Sequence, residues 1–152
     1  MDYKLSKRYI FIQNVIHMLH SYNRIWIRAI WSTKERKPSI STSIEQKVYQ
    51  FISEQCREKG RLVRIVNGMP DHIHVLFLLN PRLSISELIK QIKGSSSHFI
   101  NQNNFISEKF TWQTGYALFS VSESVVERVY RYIRNQKQHH HKKSFQQEYN
   151  EI

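Results

Sequence analysis

The chain is 152 residues long, 40% hydrophobic, and carries a formal charge of +11 with a pI near 9.9. That length allows one domain with short appendages and one sizeable core, and no apolar run is long enough to cross a membrane. The charge points to an anionic partner, nucleic acid first, and a lone cysteine, Cys56, excludes an intrachain disulfide and fits a cytoplasmic setting.

Residues 1–22 read as an extension ahead of the domain. Lys4, Lys7 and Arg8 precede the apolar Tyr9-Ile10-Phe11-Ile12 as in a secretory signal. Gln13, Asn14 and His17 break that run and no Ala-x-Ala-like site follows, which argues against a signal. The domain proper is assigned to residues 23–138. Arg24 to Ser32 is rich in β-branched and aromatic residues and predicts a strand. Thr33 to Ser41 is a basic loop. Thr42 and Glu45 have capping-box spacing, Ile44, Val48, Phe51 and Ile52 follow at helical intervals, and Gly60 closes the helix. Cys56 lies in this helical pattern and is expected to pack rather than react. Arg61 to Val66 predicts a second strand, Asn67-Gly68 a turn, and His72 to Leu79 a third strand completing a hairpin. Pro81 ends it. Ser84 and Glu87 form another capping box for a helix carrying Ile85, Leu88, Ile89 and Ile92 towards Phe99. After a polar loop, Tyr116 to Val121 is a short strand, and a last helix runs from Ser122–Ser124 to about Gln138. Residues 139–152 form a basic, then polar, tail. The order β-α-β-β-α-β with an added C-terminal helix predicts an α+β fold with a ferredoxin-like antiparallel sheet, which by itself assigns no function.

His72 and His74 are separated by one residue in an apolar strand. A strand has a side-chain period of two, so both imidazoles face the same way, with Cα atoms ~6.6 Å apart. Two partly exposed histidines on a sheet face would be the ordinary outcome, but a polar pair in so apolar a strand needs a partner, and a divalent cation is one. Two imidazoles hold a catalytic ion poorly, so a third ligand is needed. In the last helix Val126, Val129, Tyr130 and Ile133 make the core stripe. Tyr132 lies about 110° from the middle of that stripe, and Gln136 follows one turn later on the same side. The Gln136 carbonyl oxygen is thus a candidate ligand and Tyr132 a candidate nucleophile. A free tyrosine, with a pKa of about 10, needs a nearby cation to act near neutrality. Standing alone, this helix would read as a basic surface helix bearing an ordinary tyrosine.

The stretch Gly68-Met-Pro-Asp-His-Ile-His74 resembles the His-hydrophobic-His motif of the single-tyrosine transposases of small bacterial insertion sequences, the IS200-like transposases. Tyr132-Ile-Arg-Asn-Gln136 resembles their nucleophile helix. Ser32-Thr-Lys-Glu-Arg-Lys-Pro38, Ile92-Lys-Gly-Ser-Ser-Ser97, Trp112-Gln-Thr-Gly-Tyr116 and Ser144-Phe-Gln-Gln-Glu-Tyr149 match in the same order, so the likeness covers about residues 20 to 150. The resemblance implies an enzyme that cuts and rejoins single-stranded DNA after recognising hairpins near element ends. It implies Tyr132 as the nucleophile forming a 5′-phosphotyrosine link. His72, His74 and Gln136 become ligands of Mg²⁺ or Mn²⁺. A homodimer is also implied, each active site taking its histidines from one subunit and its tyrosine from the other. Charge and position add Lys34, Arg36, Lys37, Lys90 and Lys93 as candidate DNA contacts, although each singly reads equally well as a solvated basic face. Met18 resembles the natural start of the family, leaving 1–17 as an upstream piece. The His139 to His141 triplet would fan around a helix end rather than converge on a metal. Two alternatives stay open. One is a domesticated repeat-hairpin, replication or relaxase-type nickase. The other is a non-catalytic nucleic-acid-binding module that stacks bases on Trp26 or Trp31, which fall on opposite faces of the first strand.

Overall fold

The computed structural model describes residues 23–139, the last by its backbone alone. The expectations for residues 1–22, for the side chains of His139 to His141 and for the Ser144–Tyr149 motif lie outside the described residues. The sheet is formed by β1 (Trp26–Ser32), β2 (Val63–Met69), β3 (His72–Leu78) and β4 (Ala117–Val121). Helix α1 (Glu45–Glu58) links β1 to β2, and α2 (Ile85–Gln102) links β3 to β4. After β4 come α3 (Val126–Arg134) and the short α4 (Gln136–His139). The strand order is β2-β3-β1-β4 and every neighbouring pair is antiparallel, as the split β-α-β pattern requires. Among the described residues, no helix is long and apolar enough to cross a membrane.

Strand alternation divides the core in two. Ile27, Ala29 and Trp31 of β1 and Ile73, Val75 and Phe77 of β3 face α1 and α2 in the larger cluster. Trp26 and Leu76 face the other way and pack with Val121, Val126 and Ile133 beneath α3. Both sides of the central strands are covered, which explains why β1 and β3 read as near-continuous apolar runs. Cys56 is buried on α1, and burial pushes its thiol up to about 12, consistent with a packing role.

Local signals placed some boundaries and misplaced others. Ser84 caps α2 as its spacing predicts, its hydroxyl accepting from the Glu87 N–H at 3.3 Å. Gly60 follows α1 with a left-handed φ of +72°. Thr42, however, does not cap α1. Ile44 holds the N-cap position, and the Glu45 carboxylate is buried against Lys137. A long-range ion pair has taken the group that the local capping box would have used.

The predicted Asn67-Gly68 turn is also displaced. Both residues lie inside β2, pairing with His74 and Ile73, and the chain reverses at Pro70-Asp71. Gly68 is needed for a different reason: a Cβ there would sit 2.2 Å from the His72 carbonyl oxygen. Finally, the single last helix predicted to reach Gln138 is interrupted at Asn135, which separates α3 from α4.

Candidate active site

The histidines follow directly from the β3 register. His72 pairs with Ser32 and His74 with Ile30 on one side, and with Met69 and Asn67 on the other. Both alternate with the core residues Ile73 and Val75, so they emerge on the face covered by α3. Both are buried, and their ring centroids are 5.2 Å apart.

His72 is held by its own neighbour. The Asp71 Oδ1 lies 2.7 Å from His72 Nδ1, which makes Nε2 the ring nitrogen suited to a metal. Asp71 is held in turn by Arg36, whose Nη2 and Nε donate to Oδ2 at 2.8 and 3.1 Å. Burial acts to raise the Asp71 carboxyl, but the His72 hydrogen bond and the Arg36 guanidinium outweigh it and hold the pKa at about 2. Asp71 is therefore ionised at any working pH. Arg36 reaches it because the loop after β1 turns back on itself, with left-handed φ values of 56° at Glu35 and 55° at Arg36. The Glu35 N–H, bonded to Gln113 Oε1 at 2.9 Å, helps fix that turn.

Tyr132 is half-buried on α3, its ring centroid 6.2 Å from that of His74 and roughly perpendicular to it. The guanidinium of Arg28, a buried cation in the middle of β1, lies 5.6 Å from the Tyr132 centroid and 5.0 Å from that of Phe119. In the composite arrangement expected from the sequence, the tyrosine comes from a second copy. In the single chain described, Tyr132 lies over its own chain's histidine strand.

Gln136 is 0% exposed, and neither atom of its carboxamide has a hydrogen-bond partner among the described residues. A buried amide with unmade hydrogen bonds is costly, and an ordered water or a ligand satisfies it. Among the described residues no cluster of three or more His, Cys, Asp or Glu side chains is present. The amide oxygen of Gln136 thus stays the candidate third ligand beside the two imidazoles. Two imidazoles and one carboxamide oxygen suit Mn²⁺, and Mg²⁺ less closely.

The candidate DNA contacts separate by their surroundings. Lys34 and Lys37 line a cavity of about 350 Å³ together with Lys109, Glu108 and Phe110. Lys90 is exposed on α2. Arg36 braces Asp71, and the Lys93 ammonium donates to the carbonyls of Gln113 and Gly115 at 2.6 and 2.7 Å. Lys93 thus clamps the loop before β4, and its burial lowers its pKa. Trp26 and Trp31 are only 4% and 2% exposed, so neither forms the open platform on which bases stack. Sequence reasoning missed the bracing role of Arg36 and the position of Arg28. The signal for Arg28 was a cation alternating into an otherwise apolar strand.

Comparison with known proteins bears on the same residues. The family described as "Transposase IS200 like" matches residues 21–136. The ISDra2 transposase TnpA of Deinococcus radiodurans is 26% identical over 113 residues, covering 70% of this chain and 80% of that protein. The crystal structure of a transposase from Deinococcus radiodurans R1 superposes with a TM-score of 0.64 at 21% identity, over 78% of this chain and 95% of that one. A REP-associated tyrosine transposase bound to a REP hairpin superposes with a TM-score of 0.59 at 15% identity, over 80% and 74% of the two chains.

Proposed function

The chain belongs to the IS200-like transposase family, and on that premise we propose that it cleaves and rejoins single-stranded DNA through Tyr132. One observation carries this reading. Tyr132 is brought against His74 on the sheet face that also bears His72, on the helical segment that leads into the buried carboxamide of Gln136, which has no hydrogen-bond partner among the described residues. The Tyr132 oxygen forms a bond to the scissile phosphorus and the bond from phosphorus to the 3′ oxygen breaks. The phenol proton passes to solvent and the departing 3′ oxygen takes one up, leaving a 5′-phosphotyrosine and a free 3′-OH. Rejoining is the same step reversed with a different 3′-OH.

His72, His74 and Gln136 would hold Mg²⁺ or Mn²⁺. Such an ion supplies Lewis-acid polarisation of the phosphate when bound. Asp71 keeps the His72 ring in its orientation. Arg28 holds positive charge beside the Tyr132 ring, where it favours the phenolate left when the phenol gives up its proton. Hairpin DNA is the proposed substrate, supported by the basic cavity at Lys34 and Lys37 and by the neighbouring fold that binds a REP hairpin. A second copy of the chain is the proposed protein partner.

The test is a cleavage assay with labelled single-stranded hairpin DNA and Mn²⁺. Wild type should give a covalent protein–DNA adduct that survives denaturing electrophoresis. Tyr132→Phe should give none while still binding the hairpin. Adduct formation by Tyr132→Phe would remove Tyr132 from the nucleophile role.

A further inference from the structure

The break between α3 and α4 falls between Tyr132 and Gln136, and one side chain from the sheet meets the chain there. An uninterrupted helix would give the carbonyls of Ile133 and Arg134 to the N–H groups of Lys137 and Gln138. Here the Asn67 Nδ2 donates to both, at 2.8 Å to Ile133 and 3.1 Å to Arg134. The Gln138 N–H turns instead to the Asn135 carbonyl at 3.0 Å. Asn135 has φ −97° and ψ 19°, outside the helical progression. Without the break, Gln136 would share the flank of Tyr132, one turn further on. With it, Tyr132 stays half-buried and Gln136 is fully buried.

Asn67 is also the β2 partner of His74. The residue that ends α3 therefore sits beside a histidine of the site, two chain positions from Gln136 by way of the Arg134 carbonyl. The Lys137–Glu45 ion pair fastens the next residue to the start of α1. Together these contacts fix the chain on either side of Gln136.

We propose that Asn67 is a positioning residue: by taking the last carbonyls of α3 it ends that helix and turns the Gln136 carboxamide towards the histidine pair. The proposal rests on the reading of Gln136 as a metal ligand. Asn67 itself touches neither substrate nor metal and acts through the backbone.

The experiment is a calorimetric titration of Mn²⁺ alone into wild type, Asn67→Ala, Gln136→Ala and the double variant. Loss of a group that orients a ligand weakens metal binding by about 10–100-fold. Asn67→Ala should fall in that range, and the double variant should bind no more weakly than Gln136→Ala. A residue that merely stabilised the fold would give additive losses, and additivity overturns the proposal. Amide exchange should quicken at Lys137 and Gln138 in Asn67→Ala and stay slow across β3. Should Asn67→Ala not fold, Asn67→Asp keeps the shape and removes the donors, and it should show the same weakening. Wild-type affinity in Asn67→Asp or Asn67→Ala, with Gln136→Ala weakened, overturns this proposal alone. Wild-type affinity in Gln136→Ala overturns the ligand reading and this proposal with it.

Discussion

At the scale of single residues, the site is set by what each polar side chain is tied to. His72 is oriented by Asp71 and Asp71 by Arg36, so a surface arginine acts on the histidine face through two hydrogen-bonded steps. The spacing of the histidines was legible because a strand's period of two is a local rule. The Arg36 contact was not, because it spans 35 positions and depends on two left-handed residues in a loop. Asp71→Asn keeps the size of the side chain and removes its charge. It is expected to weaken Mn²⁺ binding by about 10–100-fold, the usual effect of losing a carboxylate behind a ligating histidine. Calorimetry on the purified variant checks this, and unchanged affinity would show that Asp71 serves the turn alone.

At the scale of elements, the hairpin β2–β3 and the segment α3–α4 do the positioning. The strand carrying the histidines is central and covered on both faces, so its register is strongly specified and the imidazoles cannot slip to the other side. Gly68 lets the two strands of the hairpin approach where any Cβ would meet the His72 carbonyl. Gly68→Ala is expected to destabilise the protein by about 1–3 kcal/mol or more, the cost of forcing atoms into a packed site. The drop should appear as a lower urea midpoint, together with slower adduct formation as β3 shifts. An Ala variant with wild-type midpoint would mean that the hairpin relaxes freely. Sequence signals read the Asn67-Gly68 pair as a turn because such pairs favour turns. The competing demand was strand pairing across Gly68, which local chemistry does not reveal.

At the scale of the whole molecule, charge and assembly decide how DNA is met. With +11 distributed over 152 residues, binding should fall steeply with salt. The double variant Lys34→Ala/Lys37→Ala is expected to flatten the slope of log affinity against log salt for single-stranded DNA by about 1.4, or ~0.7 per phosphate contact. Lys93→Ala should leave the slope unchanged and lower the melting midpoint, because its ammonium holds loop carbonyls. Fluorescence anisotropy across a salt series separates the two. Assembly has its own test, in which Tyr132→Phe is mixed with His72→Ala. Sites complete within one chain recover no activity, whereas sites shared across two chains recover one working site per mixed dimer. The contact of Tyr132 with its own chain's His74 predicts no recovery. Recovered adduct would show α3 exchanging between copies.

By itself the sequence determined the order of the four strands and of the two helices between them, the shared face of His72 and His74, and Tyr132 and Gln136 as residues to watch. Each follows from periodicity or composition, which act over a few neighbouring positions. The tertiary structure alone decided that the hairpin turns at Pro70-Asp71, that Glu45 meets Lys137, and that α3 stops where Asn67 takes its carbonyls. The last two are bonds between groups far apart in the chain, 92 and 66 positions respectively. No local pattern encodes them, because the partners become neighbours only when the sheet has formed and α3 has docked on it.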